Sequence, residues 1–226
     1  LKEMRVDFLI SKKFDKKFSK IKSLNFIKNI IYKNLNAKFV FVSNNFRFGN
    51  KRKGDVSQLI RHEINYDYKI IKPNLLKIKK KIPSSSLIRS YLEKGQLEKA
   101  NKLLKRNWTI IGKVQKGRQL GKKIGFPTCN IDIKDYVLAK PGVYAVKVNL
   151  KGFKQKIKGI ANLGYRPTFN QHKLLLEVHL FNFTENLYNK YLSVEFLKFI
   201  RKEKKFRNVK QLQKQIKSDL LFAKKY

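Results

Sequence analysis

The densest chemistry in this sequence lies in the run Gly117-Arg118-Gln119-Leu120-Gly121-Lys122-Lys123-Ile124-Gly125-Phe126-Pro127-Thr128-Cys129-Asn130. Gly117, Gly121 and Gly125 let the backbone approach a ligand, and Arg118, Lys122 and Lys123 supply positive charge. Exposed N–H groups beside cations are how a loop holds a polyphosphate, although glycines between strands also make ordinary turns. Thr128 and Asn130 add a hydroxyl and an amide oxygen, both suited to Mg2+ or phosphate. A second polar residue, Glu177, is an acid inside the apolar run Leu174–Phe181, and its pattern alone is that of a solvent-facing carboxylate on a barrel strand. The histidines are His62, His172 and His179, no two of them two or three residues apart. The single cysteine, Cys129, excludes a disulfide framework and a cysteine zinc site and fits a reducing cytoplasm. It reads as a small apolar filler without a redox role.

Two kinds of pattern must position these residues. From Val6 to Leu104 strands alternate with helices, which argues for a doubly wound α/β sheet. Val6–Ile10 is a short strand-like run, and Leu24–Leu35 has helical spacing. Lys38–Ser43 suits a buried parallel strand. Asp55–Tyr66 reads as a helix with Val56, Leu59, Ile60 and Ile64 on one face, and Tyr68–Ile71 as a strand. Ser84–Ser86 opens a capped helix, and Leu97–Leu104 is a further short one. From Trp108 the helical spacing disappears. Thr109–Val114, Gly142–Asn149, Lys156–Asn162, Leu174–Phe183 and Ser193–Ile200 alternate as strands between Gly, Pro and Asn turns. In the fourth, Leu174, Leu176, Val178 and Leu180 share one face, and Leu175, Glu177, His179 and Phe181 the other. Five or six such strands predict a small closed antiparallel barrel. A last helix, capped by Asn208, carries Val209, Leu212, Ile216 and Leu220 as its buried stripe. The boundary falls near Arg106, giving an α/β domain over 1–106 and a β domain over 107–226.

The 226 residues hold 54 Lys+Arg against 15 Asp+Glu, a net charge of +39, with 42% hydrophobic and 12% aromatic residues. That is ample material for a core and excludes a disordered chain. No stretch approaches the roughly 20 apolar residues that span a bilayer, and no secretory signal opens the chain, so a cytoplasmic protein without a membrane partner is expected. The charge favours anionic ligands. It is mostly lysine scattered through every segment, a biased and solvated surface rather than a nucleic-acid stripe. Nucleic acid is therefore not expected as a partner, although a basic barrel binding single strands is the alternative that this charge allows.

Gly121-x-x-x-Gly125-Phe126-Pro127-Thr128-x-Asn130 resembles the bacterial riboflavin kinase signature, with Cys129 where the family usually has Ala. Four further segments match in order: Pro141–Val146, Gly159–Phe169, Leu176–Phe183 and Ile200–Phe206. The first half resembles an adenylyltransferase module through Phe14-Asp15-x-x-Phe18, Phe46-Arg47-Phe48-Gly49 with Gly54-Asp55, and Ser84-Ser85-Ser86-Leu87-Ile88-Arg89. Together they are similar to the bifunctional riboflavin kinase/FMN adenylyltransferase family, also called FAD synthetase. The resemblance implies a partial nucleotidyltransferase-like α/β module followed by a six-stranded antiparallel kinase barrel with a C-terminal helix. It implies riboflavin, ATP and FMN as ligands and Mg2+ as the ion that accompanies ATP. Gly117, Gly121, Lys123 and Gly125 fall to the ATP phosphates, and Thr128 and Asn130 to Mg2+-ATP. Glu177 falls to the general base that deprotonates the 5′-hydroxyl of the ribityl chain. Arg201, Glu203 and Phe206 border the flavin pocket, and Arg166 holds its own loop. Phosphate and alcohol would meet inside the barrel. A flavin-binding module without activity is the other reading, against which Thr128, Asn130 and Glu177 argue.

Such adenylyltransferase modules begin with a Gly-x-Phe-Asp-Gly-x-His-x-Gly-His element, and this sequence has no counterpart. Asn45 also stands where the family usually has Asp. The chain opens on Leu1, as expected of one that starts partway through the module. Phe46, Arg47, Gly49, Ser84, Ser85, Ser86 and Arg89 would then be the remnant of the adenylyltransferase site, complete only in the longer parent. The purified chain is therefore expected to form no FAD from FMN and ATP. Chromatographic separation of the flavins checks this, and an FAD peak contradicts it.

Overall fold

A computed structural model describes residues 5–226 except 75–77, 79–81, 118, 134–135, 138 and 169–170. Arg118, one of the cations noted above, therefore lies outside the described residues, as does the side chain of Arg166. The chain forms two compact units, residues 1–75 and 76–226. Among the described residues no helix is long and apolar enough to cross a membrane.

In the first unit, helical turns α1 (Lys16–Ser19) and α2 (Ser23–Asn25) lead into a π-type helical segment, Phe26–Asn34. Asp15 caps α1 by accepting the Phe18 N–H at 2.7 Å. Strand β1 (Phe39–Phe41) precedes a small antiparallel ribbon, β2 (Arg47–Phe48) with β3 (Gly54–Asp55). Helix α3 (Val56–Arg61) follows, and β4 (Lys69–Ile71) pairs parallel with β1. Ile27, Ile31, Phe48, Leu59 and Tyr68 are among the side chains of its core.

Three expectations fail in this unit. Val6–Ile10 forms no strand, and Phe8, Leu9 and Ile10 are exposed; a strand needs a ladder partner for its N–H and C=O groups, and none runs beside it among the described residues. Strand β1 is not buried on both faces, because Phe39 and Phe41 are 63% and 66% exposed on a sheet of only two strands. The helix from Asp55 stops at Arg61 instead of running to Tyr66, which leaves Ile64 95% exposed. The Tyr68 hydroxyl donates to the Leu59 carbonyl at 2.7 Å, and the Glu63 carboxylate accepts the Ile70 N–H at 2.7 Å. These bonds draw the chain off the helix axis and into β4.

In the second unit α4 (Ser85–Glu93) is capped by Ser84, whose hydroxyl accepts the Leu87 N–H at 3.2 Å, and α5 (Leu97–Leu104) follows it. Leu92, Leu97 and Ala100 join the barrel core. By packing, then, both helices belong with the barrel, and the compact division falls upstream of Arg106. Strand β5 (Trp108–Gln115), helical turn α6 (Leu120–Lys123) and strands β6 (Cys129–Asp132), β7 (Gly142–Leu150), β8 (Ile157–Thr168), β9 (Gln171–Leu180) and β10 (Tyr191–Arg201) come next, and helix α7 (Val209–Ala223) ends the chain. The six strands close in the order β10-β5-β6-β9-β8-β7, every pairing antiparallel. Five were legible as strands; the sixth, β6, is four residues long and begins inside the run read above as a phosphate loop, which ends at Asn130.

Alternation fills the barrel. Ile110, Ile131, Leu163, Leu176, Leu192, Val194 and Phe196 are 0% exposed, and at native packing density no room for a ligand remains among them. Trp108 and Phe196 pack with ring centroids 4.6 Å apart, and Tyr144 meets Phe196 edge-on at 5.1 Å. Replacing Phe196 with Ala is expected to cost about 3–5 kcal/mol. Trp108, the only tryptophan, reports it by fluorescence in a denaturant titration; a loss below about 1 kcal/mol would contradict this packing.

Candidate active site

The site begins with strand register. On the outer wall of the barrel, Asn130 of β6 stands opposite Glu177 of β9, and Glu177 stands opposite Asn162 of β8. Asn162 faces Val143 of β7, which faces Arg201 of β10. Side chains of directly opposed residues leave Cβ atoms about 4.5–5.5 Å apart, so five separate segments put an amide, an acid, an amide, an apolar contact and a guanidinium in one row. The neighbouring residues on β9, Leu176 and Val178, point into the core, and period-two alternation therefore turns Glu177 outward.

A cavity of about 760 Å³ lies over this row. Its floor includes Asn130, Asn162, Glu177 and His179. Its rim is the loop bearing Lys123 and Thr128, and its far wall is Phe206 with the apolar face of α7. The site is thus on the outside of the barrel, under a helix, and not in the barrel interior, which side chains already fill. The C-terminal stripe is corrected in the same way. Leu212 and Ile216 are half-buried and Val209 is 54% exposed, because they line the cavity instead of packing against the barrel.

Helix α7 is fixed by one buried ion pair. The Arg201 Nε lies 2.9 and 3.0 Å from the two Asp219 carboxylate oxygens, and the terminal nitrogen Nη2 reaches Oδ2 at 2.6 Å. Asp219, 4% exposed, also accepts from Gln215 at 2.8 Å. The remaining Arg201 nitrogen donates to the Lys202 carbonyl at 2.9 Å, and the guanidinium sits 5.9 Å from the centre of the Phe206 ring. Arg201 therefore borders the cavity while spending its donors on the protein. Glu203 accepts from Asn162 at 3.3 Å and lies against Gly164, where any Cβ would overlap its carboxylate.

The glycine-rich run is a turn of helix, α6, closed by the Phe126 N–H donating to the Gly121 carbonyl at 2.8 Å. Gly125, with φ +88°, takes the left-handed turn that ends it. Gly117 is needed for space: a Cβ there would overlap the Asn130 amide nitrogen. Gly121, Lys123, Thr128 and Asn130 border the cavity, whereas Gly117 and Gly125 shape its edge from outside. Gln213 of α7 donates to the Ile124 carbonyl at 3.2 Å, Gln119 to the Tyr188 hydroxyl at 3.1 Å, and His179 Nδ1 lies 2.7 Å from the Pro127 carbonyl oxygen.

Asn130 is 6% exposed, and its side-chain oxygen accepts no hydrogen bond from the described residues. A buried, orphaned amide oxygen beside the Thr128 hydroxyl fits a hard cation that takes few protein ligands and fills its shell from water and phosphate. The described residues contain no group of three His, Cys, Asp or Glu that could hold a metal ion. Across the loop, a second cavity of about 410 Å³ also borders Thr128, with Pro127, Val178, Phe183, Leu187 and Tyr188 in its wall. The residues that the sequence resemblance gives to an adenylyltransferase site divide between the units. Phe46, Arg47 and Gly49 belong to the first, where Phe46 stacks on Phe48 at 5.6 Å and Arg47 reaches Asp55 at 3.4 Å. Ser84, Ser85, Ser86 and Arg89 open α4 in the second.

Sequence reading brought out Glu177, Thr128, Asn130 and the Arg201–Phe206 segment, and the structure gathers all of them around one cavity. It missed Asn162 and Asp219. Asn162 carries a signal, a polar residue between the inward-facing Ala161 and Leu163. So does Asp219, an acid on the same helix face as Leu212 and Ile216.

A row of one acid between two amides, bordered by a lysine-bearing glycine loop and walled by an apolar helix, has the polar groups and the apolar wall that a small-molecule phosphotransferase needs. Residues 104–226 match the family described as riboflavin kinase, and residues 1–87 that described as FAD synthetase. The whole chain aligns with bifunctional riboflavin kinase/FMN adenylyltransferases. It is 40% identical to that of Buchnera aphidicola subsp. Schizaphis graminum over 229 residues, and 37% identical to that of Haemophilus influenzae over 226 residues; each match spans 100% of this chain and 73% of the relative. A solved Streptococcus pneumoniae structure, described as a macrolide-efflux protein, superposes with a TM-score of 0.82 at 30% identity, over 95% of this chain and 68% of that one. The chain belongs to the bifunctional riboflavin kinase/FMN adenylyltransferase family.

Cys129 is in the wall of the smaller cavity. Its thiol donates to the Val178 carbonyl at 3.3 Å, and burial pushes its pKa up to about 12. Since the thiolate is the reactive form, the folded protein is expected to resist iodoacetamide at pH 8 and to label rapidly once unfolded. Equal labelling rates in the two states would contradict the burial.

Proposed function

We propose that the barrel transfers the γ-phosphoryl group of ATP to the 5′-hydroxyl of riboflavin, giving FMN and ADP. The observation that carries this reading is the register that sets Glu177 beside Asn130, within a cavity that also holds Thr128 and an apolar helix wall. Phosphoryl transfer asks a protein mainly for positioning and charge compensation. Glu177 accepts the proton of the ribityl alcohol as its oxygen bonds to the γ-phosphorus, and the bond from that phosphorus to the bridging oxygen of ADP breaks. The Asn130 and Thr128 oxygens would hold Mg2+, which when bound with ATP offsets the charge on the phosphates. Lys123 and the backbone around Gly117, Gly121 and Gly125 cradle those phosphates.

The larger cavity suits the flavin, whose fused ring is flat and apolar with polar edges. Phe206 and the α7 stripe face the ring, Glu203 and Asn162 lie near its polar side, and Arg201 keeps Phe206 in place through Asp219. The smaller cavity, with its aromatic and aliphatic wall, suits a purine. Thr128 borders both, as the hinge of a two-substrate site must. We assign Phe46, Arg47, Gly49, Ser84, Ser85, Ser86 and Arg89 to FMN adenylylation, with sequence domains of 1–106 and 107–226, the helices α4 and α5 of the first packing on the barrel of the second, and a cytoplasmic location. The family matches favour this reading over single-strand nucleic-acid binding.

Glu177→Gln is the direct test. Loss of a positioned base is expected to lower kcat by about 10²- to 10⁴-fold, with Mg2+-ATP affinity within about twofold of the parent because the loop is untouched. Steady-state FMN formation together with calorimetric nucleotide binding reads both quantities. A kcat near that of the parent removes Glu177 from the mechanism.

A further inference from the structure

We infer that His179 is a positioning residue, one that sets the direction of the Thr128 N–H, and the place of the residue that carries the hydroxyl, toward the nucleotide. The inference rests on the kinase reading above and names how the site's two halves are held together. His179 is on β9 two residues beyond Glu177 and on the same outward face. Its Nδ1 is 2.7 Å from the Pro127 carbonyl oxygen. A carbonyl can only accept, so Nδ1 carries the proton and donates it.

What this bond holds is a peptide plane. The Pro127 carbonyl and the Thr128 N–H belong to the same rigid unit, and the proline ring already restricts rotation on its other side. Fixing the carbonyl therefore fixes the direction of the Thr128 N–H and the place of the Thr128 Cα in the loop. The imidazole is itself held: Phe126 meets it edge-on at 6.0 Å and 85°, and Phe181 lies 6.1 Å from it. Both His179 and Thr128 border the larger cavity. One strand thus carries the acid that faces the alcohol and the brace that aims the loop at the phosphates. The ladder bonds of β9 supply nothing to the Pro127 carbonyl, which lies off the end of β6, so the side chain is needed there.

Two substitutions separate the donor from the ring. His179→Asn keeps an N–H donor at the place of Nδ1 but loses most of the aromatic contact. His179→Phe keeps the ring between Phe126 and Phe181 but cannot donate. One neutral hydrogen bond corresponds to roughly a five- to tenfold change in an equilibrium constant. Mg2+-ADP titrated calorimetrically into the full chain is expected to bind His179→Phe five- to tenfold more weakly than the parent, and His179→Asn within about twofold. KM for ATP should follow the same order. Equal nucleotide affinity in the two variants, or a better one in His179→Phe, overturns the inference. If the parent binds Mg2+-ADP but forms no FMN, the kinase reading fails instead, and the nucleotide titrations still judge His179.

Discussion

Everything in the proposed site depends on the register of one strand. Strand β9 runs between β6 and β8, and its pairing with both sets Glu177 directly between Asn130 and Asn162. Because side chains alternate with period two, a slip of one residue would drive Glu177 into a filled core and turn Leu176 out to the cavity. The burial of Leu176 and Val178 therefore secures the acid's position without touching it. Closure of the sheet adds a second guarantee, since a barrel strand has no free edge along which to slide.

The barrel is consequently a platform and not a container. Its interior is occupied by branched and aromatic side chains, so the binding space has to be built outside, from the loop at residues 117–128 and helix α7. A helix resting on a sheet would ordinarily bury its stripe. Here the Arg201–Asp219 pair holds the C-terminal half of α7 against the barrel, and the stripe nearer its start stands away to leave the cavity. Breaking a buried pair by removing one partner leaves an uncompensated charge, which makes this pair a strong constraint on the cavity's width as well as on the helix.

Much of this was legible in the sequence, and unevenly. The alternation of Leu174–Leu180 contains both the strand and the outward face of Glu177, and the Gly-Phe-Pro-Thr run contains the loop. The row across five strands could not be read from any one segment, because register is a property of pairs. Strand β6 escaped notice for a similar reason: four residues with two polar side chains have no period of their own, and neighbours on either side make them a strand. In the first unit, Val6–Ile10, Phe39 and Phe41 have the composition of buried strands, but burial requires a covering layer that composition alone does not supply. The helix from Asp55 was overextended because its apolar spacing continues past Arg61, while Tyr68 and Glu63, distant in spacing but near in space, take the backbone elsewhere. Asp219 shows the converse, since a charge on an apolar helix face could have been read as the partner of a buried arginine.

The account's central claim is that the alcohol of riboflavin meets the nucleotide at the Glu177 row, on the outer wall of the barrel. A crystal structure of the chain with riboflavin and Mg2+-ADP tests it most directly. The account predicts the flavin ring under α7 and the ribityl 5′-oxygen within hydrogen-bond reach of the Glu177 carboxylate, about 2.6–3.2 Å. A ribityl chain directed away from β9, with its terminal oxygen beyond the reach of Glu177 and no water between them, would contradict it.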